Sequence, residues 1–349
     1  MMARKYLQVV LFGDSVSWSG GAAYGSRYAD FLEEALQSAA GKDALIDVAA
    51  CGDGGNTAQE GLARIERDCI DYAPDIVVIN FGGNDAIRSP SREIFKTSYE
   101  RILSRLKNET HAVVVLETLP TLDEERHQCR QIPQALMHGG LEKYIEFYSH
   151  SFIRNTAVLR GCILHDRFRI YHQEISKNPA QREVLIQADG VHFTVEGNKF
   201  FAETLAAVII PVLPRAFPAV EKSPGFWYER ATVNPAYMEA CAALENGRLK
   251  EFFLEPKSYS SRLALQRTRS FARRASVADS NEIAQKATLV ERLAAGFLAA
   301  ERIFSAPVPE IIKGSAEWAL RMLEEVNHQT IARKLSEFLN NCAQLPDRR

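Results

Sequence analysis

Two short stretches of the chain carry residue types that together can perform acyl transfer. Gly13-Asp14-Ser15 directly follows the apolar run 6–12 (YLQVVLF), so Ser15 falls where a strand turns toward a helix. A hydroxyl there is exposed above the sheet edge, and nearby backbone N–H groups can stabilise an oxyanion. Asp189-Gly190-Val191-His192 supplies the complementary groups. A serine hydroxyl needs a base to become a useful nucleophile, and that base needs an orienting acid. An aspartate three residues before a histidine, across a glycine-containing turn, can reach the imidazole Nδ1 and leave Nε2 for Ser15. Taken singly, each stretch also reads as a tight turn beside a helix cap.

Two further stretches weigh against turns alone. Gly82-Gly83-Asn84-Asp85 ends a strand pattern and puts the Asn84 amide at the same edge as an oxyanion donor. Gly54-Gly55-Asn56-Thr57 ends another, where a backbone N–H without a neighbouring side chain can approach the same oxygen.

The elements that must position these groups alternate along the first two hundred residues. Strand patterns are expected at 6–12, 44–50, 75–81, 111–116 and 162–165. Helical spacing is expected at 28–39, from about 57, at 91–107, around 140–156 and at 194–210. Such alternation implies a parallel sheet covered by helices on both faces, with functional groups beyond the carboxyl ends of its strands. After Pro218 the character changes. Asn234-Pro235 starts a helix that Gly247 can end, and further helical patterns run over 283–304 and 315–340, the latter through Trp318, Met322, Val326, Ile331, Leu335 and Phe338. The reading is a hydrolytic domain over 1–219 and a helical domain over 220–349. A chain ending near Ala219 is expected to fold alone and to cleave a small ester.

With these residues in hand, the chain resembles the SGNH (GDSL-like) hydrolase family over about residues 6–212. The family's serine block matches Ser15, its glycine Gly55, its asparagine Asn84 in Gly82-Gly83-Asn84-Asp85, and its DxxH block Asp189 and His192. Gly52, Gly54 and Gly55 crowd together, and Gly55 is taken because Asn56-Thr57 matches the family's usual following pair. Ala50 stands where the family often has asparagine. Phe193 stands where it often has proline, which bears on pocket shape. The resemblance implies a flavodoxin-like three-layer α/β fold, with Ser15 as nucleophile and Asp189 and His192 as its acid–base partners. It further implies that Ser15, Gly55 and Asn84 form the oxyanion hole, with no metal or organic cofactor. The expected substrate is an acyl ester, short-chain (acetyl) on a polar or carbohydrate-like alcohol, because residues 121–140 are polar and carry Arg126, His127, Arg130 and His138. Acyl transfer by the same residues, or a non-catalytic scaffold acting through the helices, are the alternatives.

Other chemistries find little support. Gly52-Asp53-Gly54 lacks the glycine at 57 that a dinucleotide fingerprint needs, and Gly20 to Gly25 is followed by Ser26-Arg27 rather than Lys-Ser/Thr. The histidines show no paired-ligand spacing. A net charge of −2 gives no pull toward nucleic acid, and no stretch is long and apolar enough to span a membrane. Six scattered cysteines and no signal-peptide pattern make the cytoplasm the expected location. The basic run Arg262, Arg267, Arg269, Arg273 and Arg274 reads as a solvated face, with docking to an acidic partner as the alternative, and a second copy or protein partner is expected, if anywhere, on the helical domain.

Overall fold

In the computed structural model the described residues are 5–88, 91–215, 222–255, 260–277, 281–305, 308–324 and 329–343. Five strands form one parallel sheet: β1 (Lys5–Gly13), β2 (Ala44–Ala50), β3 (Ile76–Asn80), β4 (Val113–Glu117) and β5 (Ile163–His165). Their spatial order is β2-β1-β3-β4-β5. β3 is buried along its whole length, and β1 at every residue but Lys5, because helices cover both faces. This is the flavodoxin-like three-layer fold. The order reverses beside β1, since the chain goes first to β2 and then to β3 on the other side. The crevice between the carboxyl ends of β1 and β3 is therefore the topological switch point, where such sheets bind ligands.

Helix starts follow local rules. Thr57 and Glu60 form a reciprocal cap on Ala58–Asp68, and Thr194 caps Val195–Ile209. The pattern around 140–156 is a continuous helical stretch with one wide turn, Glu146–His150, between Leu141–Ile145 and Ser151–Arg160. Helix Arg167–Lys177 was not anticipated. Phe193 is core rather than pocket: it packs on Tyr28 and Phe201 and is buried.

The C-terminal region is helical and has its own apolar cluster, built around Trp227, Phe271, Leu293, Phe297, Trp318 and Leu335. The run 315–340 is two helices, Pro309–Glu324 and Gln329–Ala343, packed against each other, which one straight helix cannot do. Val326 lies outside the described residues. No helix among the described residues is long and apolar enough to cross a membrane.

The basic run departs most from expectation. It forms an unanticipated helix, Ser261–Ala275, that packs along the edge strand β2, and Arg262, Arg269 and Arg274 are buried. The physical reason is an acidic group inside the edge. Asp47 on β2 is 0% exposed and lies 3.1 Å from Arg273 and 3.6 Å from Arg269. Tyr6 Oη also donates to it, at 2.7 Å. Burial pushes the Asp47 carboxyl up, but Arg273 and Arg269 outweigh it and hold it below its ordinary value. Arg274 donates to the Tyr72 and Ala73 carbonyls and Arg267 to that of Arg67. Guanidiniums bury well in this way because their planar fork satisfies several acceptors at once.

Candidate active site

Each strand-end loop at the switch point is bound to its neighbours. Asp14 closes the turn after β1: its Oδ1 accepts from Val16 N–H at 2.9 Å, and its Oδ2 accepts from the Asn84 amide at 3.0 Å. No side chain fits at Gly13, where a Cβ would stand 2.4 Å from the Asn80 carbonyl oxygen. Ser15 begins the short helix Ser15–Trp18, so its backbone N–H has no acceptor within that helix. After β3, Asp85 accepts from Ala58 N–H at 2.9 Å and so caps the helix that follows β2. Burial pushes the Asp85 carboxyl up to about 7.

Arg64, on helix Ala58–Asp68, ties the β1 and β2 ends together. It donates to the carbonyls of Gly13 (2.6 Å) and Cys51 (2.8 Å) and to Asn56 Oδ1 (2.7 Å). Sequence reasoning missed it, because its one local signal, Asp68 four residues on, reads as a surface ion pair.

The loop carrying Asp189 and His192 is closed at its base by an antiparallel bridge between Ile186 and Phe193 and by Gln187 N–H donating to the His192 carbonyl at 2.8 Å. Gly190 has φ +79°, and a Cβ there would meet Asp123 and the His127 nitrogen, so the position requires glycine. Within the loop, Asp189 Oδ1 accepts from the backbone N–H groups of Val191 (2.9 Å) and His192 (3.0 Å), while Oδ2 stands 2.6 Å from His192 Nδ1. His192 Nε2 is 2.8 Å from Ser15 Oγ. Burial raises the Asp189 carboxyl, but the ring and the two N–H groups prevail and hold it well below the usual carboxylate range. Its charge favours the tautomer with hydrogen on Nδ1, which leaves Nε2 as an acceptor toward Ser15.

The geometry thus joins Ser15, His192 and Asp189 in one hydrogen-bonded line. Asn84 sits one step away: besides Asp14, its amide reaches the Asn56 carbonyl at 3.3 Å. Gly55, next to Asn56, has φ +76°, and its carbonyl is held by Arg88. Gly52 is the glycine pressed against the Asp14–Trp18 turn, where a Cβ would stand 2.2 Å from the Asp14 carbonyl oxygen.

Beneath the site lies a buried polar cluster that no motif announced. Glu117, at the end of β4, accepts from Tyr28 Oη (2.6 Å), stands 2.8 Å from His165 Nδ1 and pairs with buried Arg167 at 3.3 Å. Of the residues expected to face substrate from 121–140, Arg126 pairs with Asp123 and His138 stacks on Phe147. His127 is buried beside the 189–192 loop, where Asp189 and His192 both act on it electrostatically.

No curated protein matches the chain. Solved structures similar to it include an acetyl xylan esterase, AlAXEase, at 25% identity over 58% of this chain and 100% of that one, with a TM-score of 0.48. A lipase/acylhydrolase from Enterococcus faecalis is 23% identical over 62% of this chain and 100% of that one, with a TM-score of 0.46. Residues 11–200, which run from the end of β1 through the other four strands and every loop just described, match the GDSL-like Lipase/Acylhydrolase family, and the chain belongs to that family.

Proposed function

We propose that this chain is a serine esterase that hydrolyses a short acyl ester, acetyl foremost, of a polar or carbohydrate-like alcohol. The observation that carries the reading is the unbroken line of hydrogen bonds from Asp189 through His192 to the Ser15 hydroxyl. In this mechanism His192 Nε2 takes the Ser15 proton as Oγ attacks the ester carbonyl, and Asp189 steadies the resulting imidazolium. The N–H groups of Ser15 and Gly55 and the Asn84 amide hold the oxyanion. Asn84 does so by giving up its longer contact, to the Asn56 carbonyl. His192 returns the proton to the departing alkoxide as the ester C–O bond breaks. It then deprotonates the water that releases the acid and restores Ser15.

Two features support a polar alcohol. Asp189 is 46% and His192 26% exposed, so substrate bulk can remain in solvent. His127 Nδ1 accepts from Cys129 N–H at 3.1 Å, which leaves its ring hydrogen on Nε2 as a donor near the triad. Burial lowers the proton affinity of this ring, which favours its neutral form. We take residues 1–219 as the unit that carries the proposed catalytic groups and 220–349 as the helical unit; each has an apolar cluster of its own, joined by Leu263 packing into the first and Tyr24 into the second.

An ester panel of graded acyl length, run with acetylated oligosaccharides and with p-nitrophenyl esters, tests the proposal. Turnover should peak at acetyl, and a fluorophosphonate probe should label Ser15. Labelling of another residue, or a preference for long acyl chains, would count against it.

A further inference from the structure

The helical region reaches into the active site through two arginines, and both converge on Trp18. This residue ends the short helix that Ser15 begins. The guanidinium carbons of Arg262 and Arg302 lie 4.3 and 4.5 Å from the centre of its ring. Arg262 also donates to the Gly52 carbonyl at 2.7 Å, and Gly52 is the residue wedged against the Asp14–Trp18 turn. Arg302, on helix Glu282–Ser305 and 4% exposed, grips the next stretch of backbone. Its Nε and Nη2 donate to the Ala22 carbonyl at 3.0 and 2.8 Å, and its Nη2 to that of Ser19 at 3.1 Å.

That backbone is strained and touches the reacting groups. Ser19 has φ +61°, a left-handed conformation that a non-glycine residue keeps only when its surroundings over-determine it. Its carbonyl is held by Arg302 and its Oγ by Tyr28 N–H at 2.8 Å. The following residue, Gly20, donates its N–H to the Ser15 carbonyl at 2.9 Å. Gly20 also backs the imidazole: a Cβ there would stand 3.3 Å from His192 Cδ2 and 3.4 Å from Nε2. Further along, Tyr24 packs on Trp318 with ring centres 4.9 Å apart and belongs to the apolar cluster of the helical region. The loop between Ser15–Trp18 and Tyr28–Ala40 is thus held on one side by His192 and on the other by the C-terminal helices.

We propose that Arg302 and Arg262 are positioning residues for catalysis, which lock Trp18 and the 19–22 backbone so that Gly20 braces the His192 ring against Ser15. The helical region is then part of the catalytic apparatus rather than an appended module. This rests on the esterase reading above. Near-attack geometry is steep in distance, and a misplacement of about 1 Å costs on the order of 10²-fold in rate.

The test uses the full chain with p-nitrophenyl acetate and a fluorophosphonate probe. Arg302→Met keeps the apolar stem and removes the donors. It should melt cooperatively, lose kcat by about 10- to 100-fold with KM within about twofold, and react with the probe more slowly by the same factor. Arg302→Lys, which can still reach one carbonyl, should recover part of the loss. If Arg302→Met does not fold, Trp18→Leu against Trp18→Phe decides, with kcat expected to fall for leucine and largely to survive for phenylalanine. Folded Arg302→Met and Trp18→Leu proteins that turn over within about twofold of wild type overturn the inference. So does failure of both to fold, since the contacts then serve the fold alone. Ser15→Ala separates the two readings: if it retains turnover the esterase assignment falls, whereas a dead Ser15→Ala beside unaffected arginine variants sinks only this inference.

Discussion

Two carboxylates in this molecule each hold a nitrogen partner, in opposite settings. Asp189 and His192 are three residues apart, share one loop and are open to solvent. Asp47 and Arg273 are 226 residues apart, and Asp47 has no exposure at all. The open pair can exchange protons and admit a substrate, because water and ligand reach it. The closed pair cannot, and its desolvated charges are instead committed to one arrangement of helix against sheet. Losing a partner from the first should therefore cost rate, and from the second stability.

The largest expected effect sharpens the catalytic side. Ser15→Ala should lower ester turnover by about 10⁴-fold or more while changing the unfolding free energy by less than about 0.5 kcal/mol, since it deletes one hydroxyl at a turn. Parallel turnover and urea titrations measure both, and an equal loss of stability would erase the contrast.

Next, Asp47→Ala leaves Arg269 and Arg273 facing a buried vacancy and should destabilise the fold by about 3–5 kcal/mol. The fraction still folded should turn over at the wild-type kcat. A variant as stable as wild type would mean that water reaches these arginines.

Asn84 stands between the two classes, as it holds Asp14 and is also proposed to meet the oxyanion. Asn84→Ala should cut kcat by roughly 10²–10³ and cost about 1.5–3 kcal/mol, the range for a hydrogen bond to a charged group. An effect on KM alone would assign it to ground-state binding.

The smallest effect concerns Asp75, whose carboxyl accepts from Gln8 N–H at 2.7 Å and is pushed by burial up to about 7. An unfolded aspartate ionises near about 4. Between these values the folded state holds a proton that the unfolded state has lost, so stability from this group falls as pH rises across the window and levels off above it. Asp75→Asn removes that dependence. Its Tm relative to wild type should become more favourable by a few degrees from pH 4.5 to 7.5, and a flat difference would mean the carboxyl is ionised throughout.

Much of the sheet was legible because its signals act over a few residues. A run such as IVVIN in β3 marks a strand covered on both sides, and Thr57 and Thr194 mark helix starts, since a cap bonds only two or three positions away. The candidate acid and base could be paired on paper for the same reason, with three residues and one glycine between them.

What tertiary structure alone decided are the partners brought from far along the chain. Nothing near Arg64 says that it will hold the Gly13 and Cys51 carbonyls, and nothing near Arg302 points to Ser19. The basic run looked solvated because a dense row of arginines is costly to bury without acceptors, and the acceptors lie on β2 and on the loops after helices of the other region. Local propensity and hydrophobic period determine which segments become strands and helices. Which buried charge meets which carbonyl depends on desolvation at contacts that exist only once those segments have packed.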